Sequence, residues 1–125
     1  VKNIYFSNIK CTSENGVYVS AESNDKISNI FFDNVDVFID KTTSIAGGVY
    51  DRRPSKVEGF VKGSTSGFYF DAAKSITVRN CSVQWGNNKP NYFAHVVESK
   101  NVDSLKLFNV EGVAAFPDKL EAIKK

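Results

Sequence analysis

Hydrophobic and polar positions alternate along this chain in a segment that is written four times. Asn3-Ile4-Tyr5-Phe6-Ser7-Asn8-Ile9 returns as Asn29-Ile30-Phe31-Phe32-Asp33-Asn34-Val35, as Ser75-Ile76-Thr77-Val78-Arg79-Asn80-Cys81 and as Ser104-Leu105-Lys106-Leu107-Phe108-Asn109-Val110. Period-two alternation predicts a strand with one buried face. Ile4 and Phe6, Ile30 and Phe32, Ile76 and Val78, and Leu105 and Leu107 share that face. The Asn then breaks the phase, because an apolar residue follows it directly. Asn tolerates the left-handed region, so a bend there lets the next residues face inward again. Further strands are predicted at Gly16–Ser20, Gly67–Asp71 and Phe93–Val97.

Self-similarity at this period predicts a stacked architecture. The expected fold is all-β, a right-handed single-stranded parallel β-helix of about four coils, each holding three short strands. Asn8, Asn34, Asn80 and Asn109 should stack and bond amide to amide. An ordinary antiparallel β-sandwich is the alternative, but it has no need of an Asn at the same point of every repeat. Asn8 and Asn34 are 26 residues apart and Asn80 and Asn109 are 29, whereas Asn34 and Asn80 are 46 apart. The surplus is placed in an inserted loop over residues 41–66, a length that is usually functional or disordered. Residues 1–125 read as one domain, or as the C-terminal part of a longer β-helix, because Val1 already lies within a repeat. Pro117–Lys125 is expected to form a short closing helix.

Composition narrows the function classes. Ten Phe residues among 13% aromatics supply a core, and the net charge is only +2 without a basic stripe, which argues against a nucleic-acid partner. No apolar run approaches membrane-spanning length. Cys11 and Cys81 are expected to be buried core thiols, and two cysteines make no metal site. Asn80-Cys81-Ser82 matches a glycosylation sequon, but a ladder Asn would be a poor acceptor. No cofactor is implied.

Candidate chemistry gathers in two places. The outward face of the strand that precedes each long turn presents Tyr18, Tyr69 and His95, with Ser20 and Asp71 one step along. Aromatic faces with hydrogen-bonding neighbours suit a sugar ring, while simple cross-strand packing explains the same stack. The loop Tyr50-Asp51-Arg52-Arg53-Pro54 is the second place. Its paired Arg residues suit bidentate capture of a carboxylate, or else an ion pair with Asp51 pins the loop. His95, the single His, has the chemistry of a general acid or base but no partner carboxylate that sequence can place. Trp85 reads as a packing residue.

Several segments resemble a known family. Val1–Ile9 followed by Asn15-Gly16-Val17 is similar to the late coils of polygalacturonase-type pectinases, glycoside hydrolase family 28. Gly47–Pro54, Ser75–Gly86 and the ending Gly112-Val113-Ala114-Ala115-Phe116-Pro117 resemble bacterial members of that family. The resemblance implies a secreted or periplasmic protein acting on pectic or other uronic-acid glycans. On this reading an acidic oligosaccharide is expected to contact Tyr18, Tyr50, Arg52, Arg53, Tyr69, Asp71 and His95. The family's Asn-Thr-Asp, Asp-Asp and Gly-His-Gly motifs are absent, and its Arg-Ile-Lys slot holds Tyr18-Val19-Ser20. Inverting hydrolysis needs a carboxylate pair, so this chain is expected to supply groove wall rather than catalytic acids. The alternative is a non-catalytic scaffold or carbohydrate-binding protein. The open N-terminal strand is expected to meet upstream coils of the same protein or another chain.

Overall fold

The computed structural model describes residues 1–125. Its strands are β1 (Lys2–Ser13), β2 (Val17–Ser20), β3 (Ser28–Ile39), β4 (Val49–Asp51), β5 (Phe60–Lys62), β6 (Phe68–Trp85), β7 (Val97–Glu111) and β8 (Ile123–Lys124). The only helical element is a 3-10 turn at Asn24–Lys26. Six strands make one sheet in the order β1-β3-β6-β7-β8, with β2 also paired to β6, and every pairing is parallel. β4 and β5 form a separate antiparallel pair.

The alternating segments pair in the register in which the repeat aligns them. Ile4 lies beside Ile30, Ile30 beside Ile76, and Ile76 beside Leu105. The β-helix expected from that repeat is nevertheless not what the structure shows. The sheet is open, runs from β1 to β8 and is neither closed nor curled. Discrete three-strand coils are absent, because pairing continues through the left-handed residues. Segments expected as separate short strands fuse, and β6 alone runs for 18 residues. Repetition specifies which residue pairs with which; it does not specify where a strand ends. The expected C-terminal helix is absent too. Residues 116–120 make turns and the chain then enters β8.

The Asn positions carry the strain that the pattern implies. Asn8, Asn34, Asn80 and Asn109 sit at φ 58, 56, 51 and 52°. Asn34 Nδ2 donates to Asn8 Oδ1 at 2.9 Å and Asn109 Nδ2 to Asn80 Oδ1 at 3.0 Å. Between β3 and β6 the ladder is diverted, and Asn80 Nδ2 donates to Asp33 Oδ1 at 3.3 Å. A second row begins at Asn3 and Asn29, φ 60 and 58°, joined amide to amide at 2.6 Å. A third holds Ala72 and Asn101 at φ 67 and 54°.

The core lies over β3 and β6. Ile30, Phe32, Val35, Val37 and Ile39 meet Phe68, Phe70, Ala73, Ile76, Val78, Cys81 and Val83 in one buried cluster. Phe32 packs against Phe68 and Phe70 at 5.6 and 5.8 Å between ring centres. β1 is an edge strand, so its inward side is only half covered: Phe6 is 39% and Ile9 38% exposed. For the same reason Cys11 is exposed, against expectation, while Cys81 is buried; both are free thiols. Burial pushes the Cys81 thiol up.

The surplus residues between Asn34 and Asn80 leave the sheet, and much of that excursion is the β4–β5 hairpin. Its start is tied down by Glu14, whose carboxylate accepts Thr42 N at 2.7 Å, Thr43 N at 2.6 Å and Thr43 Oγ1 at 2.7 Å, with Lys41 Nζ at 3.3 Å. The hydrogen bonds from Thr43 lead in holding this carboxyl down at about 2. β2 reaches β6 through a close approach at Gly16, where a Cβ would meet the Ser66 carbonyl oxygen at 1.9 Å.

Candidate functional site

The outer row that sequence places on Tyr18, Tyr69 and His95 has a different third member. Tyr18 pairs with Tyr69, and Tyr69 pairs with Glu98. The next row is Ser20, Asp71 and Lys100. β7 begins at Val97, four residues later than the predicted strand at Phe93, so His95 falls in the connection. His95 is 5% exposed, and its Nδ1–H donates to the Glu121 carbonyl oxygen at 2.7 Å. It serves packing and backbone satisfaction. Glu98, which sequence reasoning passed over, is 3% exposed and accepts Ser64 Oγ and Ser66 Oγ, each at 2.8 Å.

The aromatic faces are also covered. Tyr50 of β4 stacks on Tyr18 with ring centres 4.1 Å apart and planes 15° off parallel, and Tyr69 lies 5.5 Å from each. Tyr50 OH donates to the Ser64 carbonyl at 2.6 Å. Burial pushes the Tyr50 and Tyr69 phenols up, so both remain neutral. The three rings dock the hairpin on the sheet and leave no open stacking platform on Tyr18.

The Arg pair divides its work. Arg52 donates through Nε to Tyr18 OH at 2.8 Å and through Nη2 to Asp71 Oδ2 at 2.7 Å. Arg53 grips Asp51 with two parallel bonds, at 2.9 and 2.8 Å, and covers the Phe60 ring at 4.2 Å. Those bonds hold the Asp51 carboxyl down at about 2. The two guanidiniums therefore do not converge on a shared external carboxylate. Arg52 joins the hairpin to β6, and Arg53 braces the hairpin itself. Trp85 packs on Phe93 and donates Nε1–H to the Val113 carbonyl at 2.8 Å.

One feature of the surface can still hold a ligand. An open cleft of about 670 Å³ lies between the hairpin and the strand ends. Its polar lining includes Ser20, Glu22, Arg52, Lys56, Asp71 and Asn101, and Val57 forms part of an apolar wall. Arg52 and Asp71 belong to the residues singled out from sequence, and Ser20 was placed beside them. Glu22, Lys56 and Asn101 were not found. Asn101 lies three residues before the repeat position that Asn3 and Asn29 share with Ser75 and Ser104, so the repeat did not mark it. Lys56 carried no signal either, because its place depends on how the hairpin folds back. The two cations and two carboxylates of this lining cancel. No group of three His, Cys, Asp or Glu side chains gathers into a metal site.

Comparison with family models, curated proteins and solved structures finds no match for this chain. No helix is long and apolar enough to cross a membrane.

Proposed function

We propose that this chain binds an oligosaccharide in the cleft between the β4–β5 hairpin and the β2–β6–β7 strand ends, and that it does not cleave it. The reading is that of a polygalacturonase-like, secreted or periplasmic carbohydrate-active protein acting on pectic or related uronic-acid glycans, to which this chain contributes substrate contacts. The observation that carries it is the set of hydroxyl, amide, carboxylate and guanidinium groups held along one cleft by neighbouring strands. Fixed polar groups in a concave site fit the equatorial hydroxyls of a sugar. The charge-balanced lining favours a glycan with sparse carboxylates over a densely anionic one; Lys56 is the cation free to meet such a group, since Arg52 is already engaged. The reading stops at binding, because Asp71 is committed to Arg52 at 2.7 Å.

Calorimetric titration with neutral and uronate-containing oligosaccharides tests this. Binding that falls at least about tenfold in Lys56→Ala and Asn101→Gly, a loss of about 1.4 kcal/mol, supports the cleft. The scaffold reading has its own observation, the internal satisfaction of both Arg residues. Absence of binding to every glycan tried would leave that reading in place.

A further inference from the structure

We infer that this chain associates with itself head to tail, the β1 edge of one copy adding as a parallel strand to the Ser104–Glu111 edge of the next. Both edges lack a strand partner. β1 pairs only with β3, and β8 covers only Val97 and Glu98 of β7. Each edge also carries the same half-covered apolar stripe, Ile4, Phe6 and Ile9 on one and Leu105, Leu107 and Val110 on the other.

Three features select this partner. The first is the polarity of the amide ladder. In every Asn–Asn bond the later strand donates Nδ2 to Oδ1 of the earlier one. Asn8 Nδ2 and Asn109 Oδ1 have no side-chain partner within the chain. Stacking β1 on β7 sets that donor on that acceptor without reversing the ladder.

The second is charge. Register carries Lys10 through Asp36 and Ser82 to Glu111, so Lys10 of one copy lies beside Glu111 of the next. The same register, extended two positions before the first β3–β6 pair, sets Lys2 near Asp103, and Tyr5 falls beside Lys106. Opposite charges directly across a strand pair are stabilising.

The third is phase. An antiparallel β1–β1 pair that set Asn3 against Asn8 would put Tyr5 of one copy beside Phe6 of the other. Residues directly opposite share a face, so that pairing mixes the outward and inward sides. Parallel addition keeps them separate. Because the contact joins two different surfaces by a translation, it leaves an open edge at each end and builds an extending array rather than a closed dimer.

Sedimentation of the whole chain over a concentration series should show a rising average mass. Phe6→Lys and Leu107→Lys each put an inward-pointing charge on one edge and should each abolish the rise. Mixed together they should give a one-to-one dimer and nothing larger, since each retains the edge that the other lacks. A cross-link removes any dependence on how the Lys variants fold. Ser7 and Phe108 face outward at the same register position, and neighbouring strands lie about 4.8 Å apart, within disulfide reach. With Cys11→Ser in both, Ser7→Cys mixed with Phe108→Cys should form the mixed disulfide in preference to either homodimer. A chain that stays monomeric up to millimolar concentration, association that survives Phe6→Lys, or cross-linking confined to Ser7→Cys homodimers would overturn the inference. These outcomes are independent of glycan binding.

Discussion

Arg52→Ala should destabilise the fold, although it lies in an insertion that sequence reasoning treats as a binding loop. The substitution removes the bonds to Tyr18 OH and Asp71 Oδ2 and leaves the Asp71 carboxylate, only 15% exposed, without its cation. A hydrogen bond to a charged group is worth about 1.5–3 kcal/mol when buried. Arg52 is 30% exposed, and solvent screening reduces the pair, so about 1.5 kcal/mol is the expected loss. For a chain of 125 residues an unfolding entropy of about 2.1 cal/mol/K per residue gives about 0.26 kcal/mol/K, and hence a fall in Tm of about 6 °C. Arg53→Ala is the internal control. Its pair with Asp51 is exposed on both sides, and its removal should leave Tm within error. Differential scanning calorimetry of the two variants decides the matter. Equal shifts, or an unchanged Tm in Arg52→Ala, would refute the assignment of Arg52 as the anchor of the hairpin.

Other outcomes follow from the same contacts. Ala72 holds φ 67° in the row of Asn101; a left-handed alanine costs about 1–2 kcal/mol, part of which glycine returns through its unfolded-state entropy, so Ala72→Gly should raise stability by about 0.5 kcal/mol in urea titration. Asn34→Ala should cost about 1 kcal/mol through backbone strain at φ 56°, and Asn34→Gly should recover most of it; equal losses would locate the effect in the amide ladder instead. The Glu14 carboxyl lies near 2 in the fold against an ordinary 4.5, so its contribution is present above pH 4.5 and is lost as pH falls toward 2. Glu14→Gln should flatten that part of the Tm–pH curve, and amide exchange at Thr42 and Thr43 should rise in the variant at neutral pH. Cys11 should react with a thiol reagent in the native protein, whereas Cys81, 2% exposed, should react only on unfolding.

The candidate site shows where local pattern stops being informative. Tyr18, Tyr69, Asp71 and Arg52 were visible because they lie on an alternating segment or in the insertion that interrupts the repeat. Their roles were not visible. Tyr18 reads as a platform until Tyr50 lies on it at 4.1 Å, and Arg52 reads as a ligand for an external carboxylate until Asp71 meets it. His95 was misplaced because the strand starts at Val97, opposite Phe68, and not at Phe93, a choice made by pairing across the sheet and not by local alternation. Glu98 looked like a surface residue, and only its neighbours Ser64 and Ser66, brought over from the end of the insertion, explain its burial.

Sequence alone determined the register of the parallel strands and the left-handed Asn at each phase break. Both are local consequences of side-chain alternation and backbone sterics. Tertiary structure decided that the paired strands run on as one open sheet instead of closing into coils, and that β1 is an edge whose apolar side is half bare. It also decided that the insertion folds back as a hairpin, whose Arg52 and Tyr50 cover the face that the repeat had presented. Those outcomes depend on which distant groups compete for the same hydrogen bonds and the same ring faces, and that competition is settled only when the segments meet.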